Sequence, residues 1–222
     1  MRLNRFIAQY SSLSRRKADD LIASGKVVVN RKPANLGTIV SETDIVIVEG
    51  KRLVPLERQT KVVLLHKPVG FVCSRDGQGS PTVYDLLQNN MQDLKVAGRL
   101  DKDSSGLVVM TNDGDLLQEL THPSNDKEKV YIATLGKPLE DGAIAKIARG
   151  INIGDERISK MSVIPLDKPL RYEVRIHEGR NRQIRRSFEA LGYQVVALHR
   201  TNLGPYSLNG ISSKQFKEIT EL

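Results

Sequence analysis

Residues 97–115 read AGRLDKDSSGLVVMTNDGD. The apolar run Leu107–Met110 is short and is ended by the turn residues of TNDGD, which is the pattern of a buried strand. Charge crowds the entry to that strand, with Arg99, Asp101 and Asp103 within five positions. One reading is a solvated turn leading into a strand. The other is a catalytic carboxylate held by a nearby cation. Asp101 sits in the turn before the strand, so it is the carboxylate to follow. Asp103, two positions on, reads as a turn or cap residue, because neighbours on one turn rarely face each other across a substrate as paired glycosidase carboxylates do.

Working outward, KVVLLHKPVGFVCS from Lys61 predicts a strand, a Pro-Gly turn and a second strand, and SPTVYDLL a short helix. LLQELTHP is a brief helix stopped before Pro123, KVYIATL a strand, and LEDGAIAKIARG a helix ending at Gly150. RYEVRIHEG alternates as a strand does, GRNRQIRRSFEALG is a helix closed by Gly192, and YQVVALHR is a strand. Strands outnumber helices without a steady β-α-β-α order. The fold class is therefore α+β, with a mainly antiparallel sheet and flanking helices over residues 61–222.

Upstream, Leu3, Phe6, Ile7 and Tyr10 recur at helical spacing. Ser14 can cap a second helix, SRRKADDLIASG, with Gly25 just past its end. KVVVN and DIVIVEG read as short strands, and KRLVPLERQT, residues 51–60, has no clear period and reads as a linker. Residues 1–32 hold eight Lys or Arg against two acids, Asp19 and Asp20. Arg15, Arg16 and Lys17 open the second helix, where free backbone N–H groups also favour anions, and Lys26 adds to the same basic stretch. Either this is a solvated basic face or it holds phosphate.

Composition narrows the classes. The chain has 222 residues, enough for one domain with an accessory module or for two small domains, and its net charge is +8. That excess favours a polyanion such as nucleic acid. No apolar run approaches the ~18 residues of a membrane span, the N-terminus lacks a signal-peptide layout, and the single Cys73 cannot close an intramolecular disulfide. A reducing cytoplasm is the expected location. There is no P-loop and no G-x-G-x-x-G, and four scattered histidines lack metal-ligand spacing, so neither nucleotide cofactor nor metal is expected.

A distant arginine offers Asp101 its partner. On the helix from Arg180 to Leu191, Ile184, Phe188 and Leu191 share one face, with Arg182, Arg185, Arg186 and Glu189 on the other half. Arg185 borders the apolar stripe and can lay its stem on it while bringing its guanidinium into a cleft. If it reaches Asp101, the carboxylate stays ionised when sheltered and can act as nucleophile or base. Arg186 points further toward solvent.

Four segments then carry a resemblance. GRLDKDSSGL (98–107), HKPVG (66–70), EKVY (128–131) and EGRNRQIRR (178–186) are similar, in order, to the motifs of RNA pseudouridine synthases. SRRKADDLIASGKVVVNRK (14–32) resembles the S4 RNA-binding module, over roughly residues 1–50. Together they resemble the RsuA type, which modifies bacterial ribosomal RNA. The resemblance implies a cofactor-free isomerisation of uridine to pseudouridine. It makes Asp101 the essential aspartate and Arg99 the arginine associated with base flipping. It makes Tyr131 the tyrosine packed on the base, Arg185 the basic partner of Asp101, and Ile184 the aliphatic wall. Arg15, Arg16, Lys17, Lys26, Arg182 and Arg186 are the candidate RNA contacts. The third motif favours large-subunit RNA, with small-subunit RNA or tRNA as alternatives. Expected partners are ribosomal RNA or ribosome assembly intermediates, with the protein a monomer. A non-catalytic S4-type assembly factor is the rival, and it would need no Asp-Arg pair.

Overall fold

The computed structural model describes residues 1–11, 13–54 and 59–219, and the chain divides into two compact units, Met1–Gln59 and Thr60–Leu222. No helix among the described residues is long and apolar enough to cross a membrane.

The first unit is two helices and a small sheet: α1 (Leu3–Tyr10), α2 (Arg15–Ala23), β1 (Val27–Val29), β2 (Lys32–Pro33), β3 (Val46–Val48) and β4 (Lys51–Arg52). Ser14 caps α2, its hydroxyl accepting from the Lys17 N–H at 3.2 Å, and Gly25 takes φ +71° beyond its end. The helical spacing of Leu3, Phe6 and Ile7 on α1 and of Ala18, Leu21 and Ile22 on α2 turns both helices onto Val27, Val46 and Val48. The sheet runs β2-β1-β3-β4, wholly antiparallel. Lys51 and Arg52 therefore belong to this sheet rather than to a linker. Leu53 follows them, donating its N–H to Val46 O at 2.8 Å and packing on the core. The rest of that expected linker includes residues 55–58, which lie outside the described residues.

The second unit is one mixed sheet with helices. Its elements are β5 (Val62–Lys67), β6 (Lys95–Ala97), β7 (Ser105–Thr111), α3 (Gly114–Thr121), β8 (Lys129–Leu135), α4 (Ala143–Arg149), β9 (Ser162–Pro165), β10 (Arg171–Ile176), α5 (Gln183–Glu189), β11 (Val195–Leu203), β12 (Tyr206–Ser207) and β13 (Phe216–Ile219). The sheet order is β13-β5-β7-β11-β8-β10-β9, with β6 also paired to β7 and β12 to β11. All pairings are antiparallel except β7 with β11. The class is α+β.

β7 is continuously apolar over Leu107–Met110 because both faces of the sheet are covered there. Val108 and Met110 join Val63, Leu65, Ile184 and Phe188 on one side, while Leu107 and Val109 join Val62, Leu64 and Leu120 on the other. Burial of Ile184 and Phe188, each contributing roughly 1.5–3 kcal/mol, holds α5 on the sheet. α5 is shorter than the predicted 180–191 helix, because Arg182 caps its start in the left-handed region at φ +47°. FVCS does not form a strand. After Gly70 the chain makes an isolated bridge, Val72 to Thr82, and Val83–Leu86 is a single 3-10 turn.

Candidate active site

The loop between β6 and β7 carries Asp101, and its backbone is tied down almost carbonyl by carbonyl. Gly98 O accepts from Arg200 Nη2 at 2.6 Å, and Arg99 O from Arg200 Nη1 at 3.5 Å. Asp101 O accepts from Ser104 N at 3.1 Å, and Lys102 O from Gly70 N at 2.8 Å. Asp103 O accepts from Arg185 Nη2 at 2.9 Å, and Ser104 O from Lys67 Nζ at 2.6 Å. Gly70, at φ +94° in the HKPVG turn, supplies its contact through a conformation that other residues adopt only at a cost. Three cations from three elements thus fix one short loop.

Beside the loop is a cleft of ≈ 270 Å³ lined by Arg99, Asp101, Tyr131, Ile184, Leu198 and Arg200, among others. Tyr131, on β8, is 7% exposed, and Ile184, on α5, is 3% exposed. Asp101 keeps 38% of its side chain exposed, and Arg182 Nη1 lies 3.7 Å from its Oδ2. The structure therefore brings Asp101, Arg99, Tyr131 and Ile184 to one cavity.

Arg185 does not meet Asp101. Its Nε lies 3.4 Å from Asp103 Oδ2 and its Nη1 donates to Val195 O at 2.8 Å. Asp103 is accordingly more than a turn residue, since Arg182 also clasps it with two bonds of 3.1 and 3.0 Å. Partial burial pushes the Asp103 carboxyl up, but the Arg182 hydrogen bonds and the charges of Arg185 and Arg182 outweigh that and hold it below the usual range. The helical wheel placed Arg185 correctly at the apolar border. It could not say which of two aspartates in one turn the guanidinium would reach. Arg186 does not project free into solvent either: it pairs with Asp155 at 2.7 Å and donates to the carbonyls of Ile153 and Asn181.

In the first unit, Arg15, Arg16 and Lys17 are exposed along the first turn of α2, and Lys26 pairs with Glu49 at 3.1 Å.

Three lining or supporting cations were given no role of their own by the sequence. Lys67 is fully buried, and its burial pulls the ammonium pKa down against the opposing pull of Cys73, Asp101 and Asp103. Lys129 lines the cleft, its Nζ on Lys127 O at 2.8 Å and His177 O at 3.3 Å, and burial lowers its pKa, aided by the charge of Arg200. Arg200 is 1% exposed. Its signal was present, because strand alternation puts it on the same face as Leu198.

The family model described as RNA pseudouridylate synthase matches residues 61–190, and that of the S4 domain matches residues 1–46. The chain is 38% identical over 228 residues to the ribosomal large subunit pseudouridine synthase B of Bacillus subtilis, covering 99% of this chain and 92% of that one. It is 36% identical to the dual-specificity RNA pseudouridine synthase RluF of Shigella flexneri, covering all of this chain and 76% of the relative. It is 34% identical to the ribosomal small subunit pseudouridine synthase A of Salmonella typhimurium, covering all of this chain and 97% of that one. A crystal structure of a pseudouridylate synthase superposes with a TM-score of 0.72 at 32% identity, covering 99% of this chain and 96% of that one. A two-unit chain with an S4 domain ahead of this cleft belongs to the RNA pseudouridylate synthase family and is an RNA pseudouridine synthase.

Proposed function

We propose that the protein isomerises a uridine of large-subunit ribosomal RNA, with Asp101 as the reacting carboxylate. The observation that carries this reading is the clustering of Asp101, Arg99, Tyr131 and Ile184 around one cleft, with Asp101 on a loop whose backbone is held at nearly every carbonyl. In the reaction the C1′–N1 bond breaks, the uracil turns within the site, and C5 bonds to C1′. The proton on C5 leaves and N1 gains one, so the product is an isomer. The target base must leave its stack to be reached, at a cost of a few kcal/mol. Stacking on Tyr131 and phosphate contacts can offset that cost. Ile184 and Leu198 wall the cleft, which favours retention of the detached uracil.

Arg182, 42% exposed beside Asp101, is a candidate to meet phosphate, which would compete with its two bonds to Asp103. Arg186 is dropped from the RNA contacts because its donors are engaged by Asp155 and by backbone carbonyls. Large-subunit RNA is favoured by the Arg- and Asn-rich third motif, Gly179–Arg186, and by the similarity to the Bacillus subtilis large-subunit enzyme.

The test is incubation of the purified protein with large-subunit RNA, small-subunit RNA and tRNA transcripts, followed by mapping of pseudouridine. Modification of the large-subunit transcript alone is expected, and modification confined to either other RNA overturns the substrate assignment. Asp101→Asn keeps the shape and loses the charge. It is expected to bind RNA within about threefold of the parent and to form no pseudouridine. Turnover within about tenfold of the parent removes Asp101 from the chemistry.

A further inference from the structure

Arg200 is 1% exposed, and among the described residues no carboxylate lies within ion-pair distance of it. A guanidinium out of water without an anion is costly unless its N–H groups are all placed. Nε donates to Leu107 O at 2.8 Å and Nη2 to Gly98 O at 2.6 Å. Nη1 faces Arg99 O and Tyr131 Oη, each at 3.5 Å. These acceptors lie on β7, on the Asp101 loop and on β8, while Arg200 itself is on β11.

Register explains how one side chain reaches all three. β11 runs between β7 and β8, with Arg200 opposite Gly106 on one side and opposite Tyr131 on the other. Residues directly opposite in a ladder share a face, so Arg200 and Tyr131 rise together into the cleft wall. Gly106 lets β7 approach closely, since a Cβ there would stand 2.2 Å from Arg200 O. At Gly98, held at φ +72°, a Cβ would lie 3.6 Å from Arg200 Nη1.

We propose that Arg200 is the positioning residue of this active site, holding the loop that carries Arg99 and Asp101 in one frame with the hydroxyl of Tyr131. The assignment rests on the reading of Asp101 as the reacting carboxylate. A phosphate-binding role does not suit a side chain so enclosed, with its donors already engaged. Packing alone does not suit it either, because a buried charge is often replaced by apolar residues without loss of stability. The planar fork is what the arrangement uses. Its donors point in fixed directions, whereas a lysine ammonium at the same position cannot serve the three elements together.

The experiment compares the parent, Arg200→Lys and Arg200→Met on an RNA substrate of the parent. It measures the single-turnover rate at saturating RNA, the RNA dissociation constant and the melting temperature. Arg200→Lys is expected to melt near the parent and bind RNA within about threefold, yet react roughly tenfold more slowly. Arg200→Met is expected to lose on the order of a hundredfold in rate, the scale of a small misplacement of reacting groups. If the methionine variant does not fold, the lysine variant decides. A lysine variant at the parental rate overturns the proposal, including one that melts early but turns over normally below its melting point. A loss confined to RNA affinity also overturns it. Asp101→Asn assayed alongside separates the two claims: activity in that variant removes the Asp101 reading, whereas inactivity there with a normal Arg200→Lys rate removes only the role of Arg200.

Discussion

Asp103 accepts from Arg182 and pairs with Arg185, while Asp101, two residues before it, lines the cleft with Arg182 3.7 Å away. The two carboxylates of one turn are therefore held differently. Asp103 pairs with two arginines, and Asp101 is the one proposed to meet the substrate. Arg185, 11% exposed, joins the loop to β11 through Asp103 O and Val195 O. Arg185→Met leaves both carbonyls without that donor, at about 1–3 kcal/mol for each one that stays buried and unpaired. It also unties the Asp101 loop, so its single-turnover rate should fall by roughly a hundredfold. Arg186→Met instead breaks a pair with Asp155, and neither of these two side chains lines the cleft. It should lower the melting temperature while keeping the rate within about threefold of the parent. Parallel rate and melting measurements on the two variants check this, and equal rate losses would contradict it.

Among the described strands, the junction of β7 with β11 is the parallel pairing in an otherwise antiparallel sheet, and Gly106 makes it possible. Its φ of +113° and a virtual Cβ 2.2 Å from Arg200 O and 2.5 Å from Arg200 N leave no room for a methyl. Gly106→Ala should cost about 3–5 kcal/mol in urea unfolding. Gly114 opens α3 with nothing within 4 Å of a virtual Cβ, so Gly114→Ala should be neutral or stabilise by up to about 1 kcal/mol. Elements of this kind differ in how far residues alone reveal them. β7, β8 and β10 were legible because six or seven residues show alternation or continuous burial, β11 because of its apolar opening Val195–Leu198, and α5 because Ile184 and Phe188 keep helical spacing. β6, β9, β12 and β13 were not, since two to four residues have no period and their pairing is decided by partners distant in sequence. The same limit applies in the site. The spacing of residues 180–191 placed Arg185 at the border of the apolar stripe, but the choice between Asp101 and Asp103 depended on backbone geometry within a single turn.

At the scale of the whole molecule the chemistry and the basic helix lie in different units. The cleft is built wholly from the unit Thr60–Leu222, whereas Arg15, Arg16 and Lys17 are exposed on α2 of the unit Met1–Gln59, within the S4 match. A unit with its own core can hold RNA without shaping the cleft, and a loop fixed by its own sheet can react without help from α2. Replacing Arg15, Arg16 and Lys17 by alanine should therefore weaken RNA binding and leave the single-turnover rate at saturating RNA within about threefold of the parent. Alanine keeps the helix, and the Ser14 cap accepts from the backbone of residue 17, so the substitutions remove charge without removing the fold. Lys26, already paired with Glu49, should contribute less than any of the three. Each cation that contacts one phosphate releases counterions on binding, so the slope of log K against log salt should become shallower by up to ~0.7–0.9 per residue removed. A salt titration of binding for the parent and the triple variant reads this directly. An unchanged slope would mean that these side chains do not touch phosphate, and target affinity would then have to come from cations around the cleft, of which Arg182 is the exposed one nearest Asp101.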